Sequence, residues 1–114
     1  MKGTLSLTVD RKPQGQAVLR VDGSVDGATC KQFEAALQRL DDVLYLVVDL
    51  DPMAYMSSSG FSLLIKAKTD RMAKKGDVVL VRPQASILNI LEILGLKDFF
   101  RVASTADEAL RVRD

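Results

Sequence analysis

Ser57, Ser58, Ser59 and Gly60 are the residues of this chain whose types and spacing best suit chemistry, three hydroxyls and a glycine in one turn. They stand where an apolar run, Leu44 to Leu50, gives way to a run of helical periodicity from Phe61 to Met72. A hydroxyl at such a junction can accept a hydrogen bond from an orphan N–H of the first helical turn. It also sits beside the electropositive end of the helix, where a phosphate would be accommodated. The turn therefore reads either as a helix cap alone or as a cap that also offers a modifiable serine.

Other chemistries are poorly supplied. The chain has no histidine, which rules out a Ser-His-Asp hydrolase and a histidine-ligated metal. Met56 to Gly60 lacks the glycine two residues before the serine that a nucleophile elbow requires. Neither a G-x-x-x-x-G-K-[ST] loop nor a G-x-G-x-x-G fingerprint occurs, so nucleotide chemistry would belong to a partner. Asp49 and Asp51 read as residues that end a strand and open a turn. Cys30 is alone, which excludes an intrachain disulfide and a cysteine metal cage and favours a buried, reduced thiol. The expectation is a chain that is not an enzyme and needs neither metal nor cofactor.

Size and charge narrow the class. The 114 residues suit one domain, 1–114, with a core over about 4–110. A composition 47% hydrophobic and 27% charged excludes disorder. Sixteen basic against fifteen acidic residues leave a net charge of +1, without the basic excess of a nucleic-acid binder. No segment reaches the ~18 to 20 apolar residues needed to cross a bilayer, and no secretory leader follows Lys2, so a cytoplasmic location is expected.

The elements that must position the serine turn follow from periodicity. Thr4 to Val9 alternates apolar residues with hydroxyls, Asp10 to Gly15 carries turn chemistry, and Ala17 to Val21 returns, which together predict an antiparallel hairpin at a sheet edge. Thr29 with Gln32 resembles a capping box, and Phe33, Ala36, Leu37 and Leu40 make a helical stripe. Leu44 to Leu50 and Val78 to Arg82 are apolar on both faces and belong in the middle of the sheet. Between Leu50 and the serines, Met53, Tyr55 and Met56 lie in a loop, either packed inward or forming an adaptable contact surface. A helix from about Ser58 to Lys75 is expected to bury Phe61, Leu64, Ile65 and Met72 and to end at Gly76. A third helix carries Ile87, Ile90, Leu91 and Leu94 and ends at Gly95, with Leu88 and Ile93 off its stripe. A short strand at Phe99 to Val102 and a helix opened by Ser104 to Glu108 complete the chain. The order is ββαβαβα, then a strand and a helix: an α/β class with a mostly parallel central sheet, an antiparallel N-terminal edge and flanking helices.

Asp49-Leu50 followed by Met53 to Phe61 looks like a strand, hydrophobic loop and Asp-Ser-Ser-Gly-Leu turn. Gly23-Ser24-Val25-Asp26, Gly95-Leu96 with Phe99-Phe100, and Glu108-Ala109-Leu110 follow in matching order. On these motifs the chain, from about Thr4 to Leu110, resembles the STAS domain, the family of bacterial anti-sigma factor antagonists with relatives on sulfate transporters. The resemblance implies that Ser59, immediately before the glycine, is the phosphoacceptor, with Asp26, Ser57, Ser58 and Gly60 supporting the switch turn. Met53, Tyr55, Met56 and Phe61 are expected to form the partner surface. The implied partners are an anti-sigma factor that is also a serine kinase of the histidine-kinase-like ATPase type, and a serine phosphatase that resets the switch. Neither nucleic acid nor stable membrane insertion is expected.

Two positions depart from the family pattern. Ser57 stands where the family has an aspartate, and it can cap the helix without supplying a carboxylate. Ser62 stands where many members of the family have a second glycine, and adds bulk beside the turn. These departures open an alternative, a constitutive STAS scaffold or ligand-sensing subunit of a stress-signalling or lipid-transport complex, not phosphorylated.

Overall fold

The computed structural model describes residues 4–51 and 53–111. The alternating N-terminal run forms β1, Leu5–Lys12, paired antiparallel with β2, Gln16–Val25, from Leu5↔Gly23 to Lys12↔Gln16. Both strands outrun their apolar cores, so the turn shortens to Pro13, Gln14 and Gly15.

Helix α1, Cys30–Arg39, buries Phe33, Ala36 and Leu37 as its periodicity requires. The expected capping box does not form. Thr29 Oγ1 turns back to donate to the Ser24 carbonyl at 2.7 Å, and Gln32 Nε2 donates to the Leu5 carbonyl at 2.9 Å, tying α1 to β1 instead.

Strand β3, Tyr45–Asp49, is buried at every residue and pairs in parallel with β2 on one side and β5, Asp77–Val81, on the other. The sheet order is β1-β2-β3-β5-β6, where β6 is Arg101–Ala103. The two doubly apolar strands thus lie inside the sheet, and alternation sends their side chains to two cores. Leu46, Val48, Val78 and Leu80 face α1, α2 (Ser58–Met72) and α3 (Ala85–Ile93), whereas Tyr45, Val47, Val79 and Val81 face α4, Ala106–Arg111. There Tyr45 Oη donates to the Ala109 carbonyl at 3.2 Å. Glu108 N–H is capped by Thr105 Oγ1 at 3.0 Å, the hydroxyl signal expected of that helix start.

One strand is additional to the expected order. Met53 to Met56, read as loop, forms β4, Met53–Met56, paired in parallel with the distal part of β2. Four residues with no clean alternation are too short a run for periodicity to separate strand from loop.

Helix α2 differs at its C-terminal half. Met72 is 51% exposed, while Lys68 and Arg71 are buried. The three guanidinium nitrogens of Arg71, Nε, Nη1 and Nη2, donate to the carbonyls of Val43, Ala67 and Leu40 at 2.9, 3.0 and 2.6 Å. Burial pushes the Arg71 pKa down, and Asp41, Asp70 and Asp42 oppose that shift. This side chain thereby ties α2 to two carbonyls of the α1–β3 connection, that of Val43 and that of Leu40, which also accepts the Val43 amide at 2.9 Å. The helix ends with Gly76 N–H bonded to the Arg71 carbonyl at 2.6 Å and Lys75 N–H to the Met72 carbonyl at 3.1 Å. The left-handed residue of this cap is Lys75, φ 64°, not the glycine. Gly76 is required for space, because a Cβ there would fall 2.0 Å from the Leu44 carbonyl oxygen. Leu94, expected on the α3 stripe, is instead 54% exposed at the helix C-cap, and Leu88 and Ile93 also face outward. No helix among the described residues is long and apolar enough to cross a membrane.

Candidate functional site

The serine turn is held by its neighbouring strand ends. Val25 and Met56 are register partners of β2 and β4, and Ser57 N–H donates to the Val25 carbonyl at 2.8 Å. Asp26 and Ser57 are therefore the residues one step beyond a matched pair, and the chain brings them to one corner.

Ser57 is the N-cap of α2, with extended backbone at φ −76° and ψ 169°. Its Oγ accepts from Gly60 N–H at 3.4 Å, and its carbonyl accepts the Phe61 amide at 3.1 Å. Ser57 thus performs the capping that a short polar side chain can provide at this position, over a long hydrogen bond. Ser58 and Ser59 follow as the first and second helical residues, and both are exposed. Ser62 Oγ bonds back to the Ser58 carbonyl at 3.1 Å, which accommodates its extra bulk on the solvent side. Gly60 is buried beneath the turn, where a Cβ would lie 2.7 Å from Met56 Cγ and 2.9 Å from Val25 Cγ1. The turn is drawn tightly onto the strand ends only because that carbon is missing, and this fixes the direction in which Ser59 leaves the surface.

Asp26 is committed to its own turn. Its Oδ1 accepts from Ala28 N–H at 2.9 Å and Thr29 N–H at 3.1 Å, and its carbonyl accepts from Cys30 N–H at 2.8 Å. These bonds close the turn that leads into α1 and commit the carboxylate to that turn. Two helix N-termini, those of α1 and α2, thus open at one end of β2 and β4.

The expected contact surface needs correction. Met53, Met56 and Phe61 are 1%, 3% and 3% exposed and belong to the main core. The register shift between Gly23 and Ser24 pairs Met53 and then Tyr55 with consecutive β2 residues, skipping Ala54. Met53 and Met56, three apart, consequently both face inward. Ala54 and Tyr55 are left outside, with Tyr55 55% exposed. The surface beside Ser59 is therefore a tyrosine and small polar residues, without a methionine patch.

Two residues near this corner escaped the sequence reading. Gln84 Nε2 donates to the Met53 carbonyl, and Arg82 Nη2 lies 3.7 Å from Oδ2 of both Asp49 and Asp51. Nothing in their local pattern signals a long-range partner.

The STAS domain family profile matches residues 8–109. BtrV of Bordetella bronchiseptica, provisionally described as an anti-sigma factor antagonist, is 28% identical over 107 residues, spanning 92% of this chain and 91% of BtrV. An anti-sigma factor antagonist from Mycobacterium paratuberculosis superposes with a TM-score of 0.83 at 25% identity, over 97% of this chain and 96% of its own. SpoIIAA in its unphosphorylated form has a TM-score of 0.81 at 22% identity, over 95% of this chain and 96% of its own, a likeness of fold. In a second structure, the phosphorylated form of Bacillus SpoIIAA, the TM-score is 0.76 at 20% identity, over 93% of this chain and 97% of that one. The profile covers nearly all of the sheet and its four helices, including the corner where Asp26 and the serine turn meet, and the chain belongs to the STAS domain family.

Proposed function

We propose that this chain is an anti-sigma factor antagonist, a protein-binding module of a bacterial partner-switching system whose affinity for its partner is set by the charge on Ser59. The reading rests on one observation: Ser59 is exposed as the second residue of α2, one position before a glycine packed against Val25 and Met56. The relatives described as anti-sigma factor antagonists, and the phosphorylated form of SpoIIAA, support it. The partner is an anti-sigma factor with serine kinase activity of the histidine-kinase-like ATPase type, and a serine phosphatase returns the antagonist to its binding form.

The physical basis is local. A phosphate adds about −1.5 to −2 charge and three acceptor oxygens, which the orphan amides of the first turn of α2 tolerate. The same charge inside a packed protein contact is costly to desolvate. Phosphorylation at this place therefore leaves the antagonist folded and ejects the partner. Binding, not catalysis, is the activity proposed.

One observation favours a second reading. The N-cap side chain is the neutral hydroxyl of Ser57, so the turn lacks the carboxylate that the family pattern places there. Without it the chain would serve as a constitutive scaffold or ligand-sensing subunit. Incubation with ATP and a candidate anti-sigma kinase of the histidine-kinase-like ATPase type, followed by mass mapping, separates the two. Phosphate on Ser59 with loss of the complex supports the switch. An unmodified chain that stays bound supports the scaffold.

A further inference from the structure

The connection between β5 and α3, Arg82-Pro83-Gln84, holds the segment that leads into the serine turn. Leu50 N–H donates to the Val81 carbonyl at 2.9 Å. One residue on, Arg82 Nη2 stands 3.7 Å from both Asp49 and Asp51, the residues flanking Leu50. Arg82 adopts φ 50°, a left-handed conformation unfavourable for a side chain of this kind, while its amide donates to the Ala103 carbonyl at 3.1 Å. Gln84 occupies the N-cap of α3, yet its side chain makes no cap bond there. It reaches across to the Met53 carbonyl, at the first residue of β4.

The backbone pairing of β4 is slight. It is four residues long, pairs with β2 over Gly23 to Val25 alone, and its register is broken within that span. A strand so short gains little from its ladder; burial of Met53 and Met56 holds its inner face, and the bond from Gln84 adds the directional tie at its first residue. Whatever shifts β4 shifts Met56, which packs under Gly60, and the Ser57 amide bonded to the end of β2.

We propose that Gln84, assisted by Arg82, is a positioning residue for the serine turn, so that the N-terminus of α3 is a second input to that site. Its functional half rests on the partner-switching reading given above; its structural half does not. Movement of α3 draws on the Met53 carbonyl through Gln84, β4 slides along β2, and the presentation of Ser59 changes. The set of partners able to act on the turn then includes any that grips α3, far from Ser59 in sequence.

The test is amide hydrogen exchange on the full chain, read residue by residue by NMR. Gln84→Met keeps the length and removes the donor. It should speed exchange at Ser57 and Phe61 about fivefold, the loss of one ordinary hydrogen bond. Amides of Val47 and Val79 in the central strands should be unchanged. Gln84→Lys, which restores a donor of similar reach, should return slow exchange. No change at Ser57, or an equal rise at all amides, overturns the proposal, the second because it reports global loosening. If the turn responds in this way while Ser59 controls no partner, the positioning role stands and the switch reading falls. If Ser59 controls binding and Gln84→Met alters neither exchange nor affinity, the positioning role falls.

Discussion

Lys68 Nζ lies 2.9 Å from Asp77 Oδ1, with the two side chains 7% and 19% exposed, so α2 and the start of β5 are joined by an ion pair largely out of water. The ammonium also stands 5.1 Å and 5.5 Å from the ring centroids of Phe99 and Phe100, which meet edge to face. Charge is retained at this depth because the ammonium meets the Asp77 carboxylate and two aromatic faces. Removing one member strands the other: Lys68→Met should cost about 2–4 kcal/mol, toward the low side of values for broken buried pairs because Arg101 Nε is 3.7 Å from Asp77 Oδ2. Urea unfolding measures it. A double-mutant cycle with Asp77→Asn should return a coupling of about 1–3 kcal/mol, and a coupling near zero would show that the pair is incidental.

The places where sequence reading succeeds and fails share a physical cause. β3 and β5 were legible because burial on both faces demands apolar residues at every position, and Leu46 to Val48 and Val78 to Val81 supply them. The serine turn was legible as a cap because Ser57 stands directly before a helical stripe. The expected stripe of α2, read on apolar residues alone, leaves out Lys68 and Arg71, which the structure buries. With Phe61 and Leu64 they continue one helical face, and their charges are met by Asp77 and by backbone carbonyls distant in sequence. β4 and the inward turn of Met53 and Met56 depend on a register shift opposite Gly23, which no local pattern announces. Gln84 and Arg82 act through partners some thirty residues away, at Met53 and Asp49.

Stability should be level between about pH 5.5 and 7.5, since the chain has no histidine to titrate there. In acid it should fall. The hydrogen bond from Arg11 holds Asp42 below the usual carboxylate range, and that from Lys66 does the same for Asp70. Because these folded-state values are depressed, the stabilisation is present above the unfolded carboxylate pKa, about 4, and is lost as the pH drops through the folded values. Both carboxylates are solvent-exposed, so each contribution is small. Urea midpoints against pH for the wild type, Asp42→Asn and Asp70→Asn are the measurement, and the variants should show a shallower acid limb. A midpoint that falls between pH 7.5 and 5.5 would contradict the assignment.

Burial also redirects the test of the surface beside the serines. Met56→Asp puts a charge into the core at a site 3% exposed and should unfold the domain or lower its stability by more than about 3 kcal/mol. Tyr55→Asp alters a side chain 55% exposed and should change stability by less than about 1 kcal/mol. Partner affinity should nonetheless drop for Tyr55→Asp if the corner is the contact surface, since exposed tyrosines supply large contact area at low entropy cost. Circular dichroism establishes folding, and titration calorimetry with the identified anti-sigma factor gives the affinity. Undiminished binding by Tyr55→Asp would move the contact elsewhere on the domain.

Ser59 carries the consequence that matters most for the proposed switch. It is exposed in the first turn of α2, where a negative charge is stabilised by the helix, so Ser59→Asp should fold as well as the wild type. Its affinity for the anti-sigma partner should nevertheless fall by about 1–3 kcal/mol, the effect of forcing a charge into a packed contact. Ser59→Ala should bind as tightly as the unmodified chain and remain bound in the presence of kinase and ATP. Ser57→Asp is the complementary change: a carboxylate at the N-cap can still accept from Gly60 N–H, and it restores a charge beside the acceptor hydroxyl. Phosphate incorporation by that variant should be faster than by the wild type, because the present turn offers only a neutral oxygen there. Equal rates for the two would show that the acceptor needs no carboxylate at this corner. Should Ser59→Asp bind as tightly as the wild type, charge on Ser59 would not govern the contact, and the neutral cap at Ser57 would mark a domain that holds its partner constitutively.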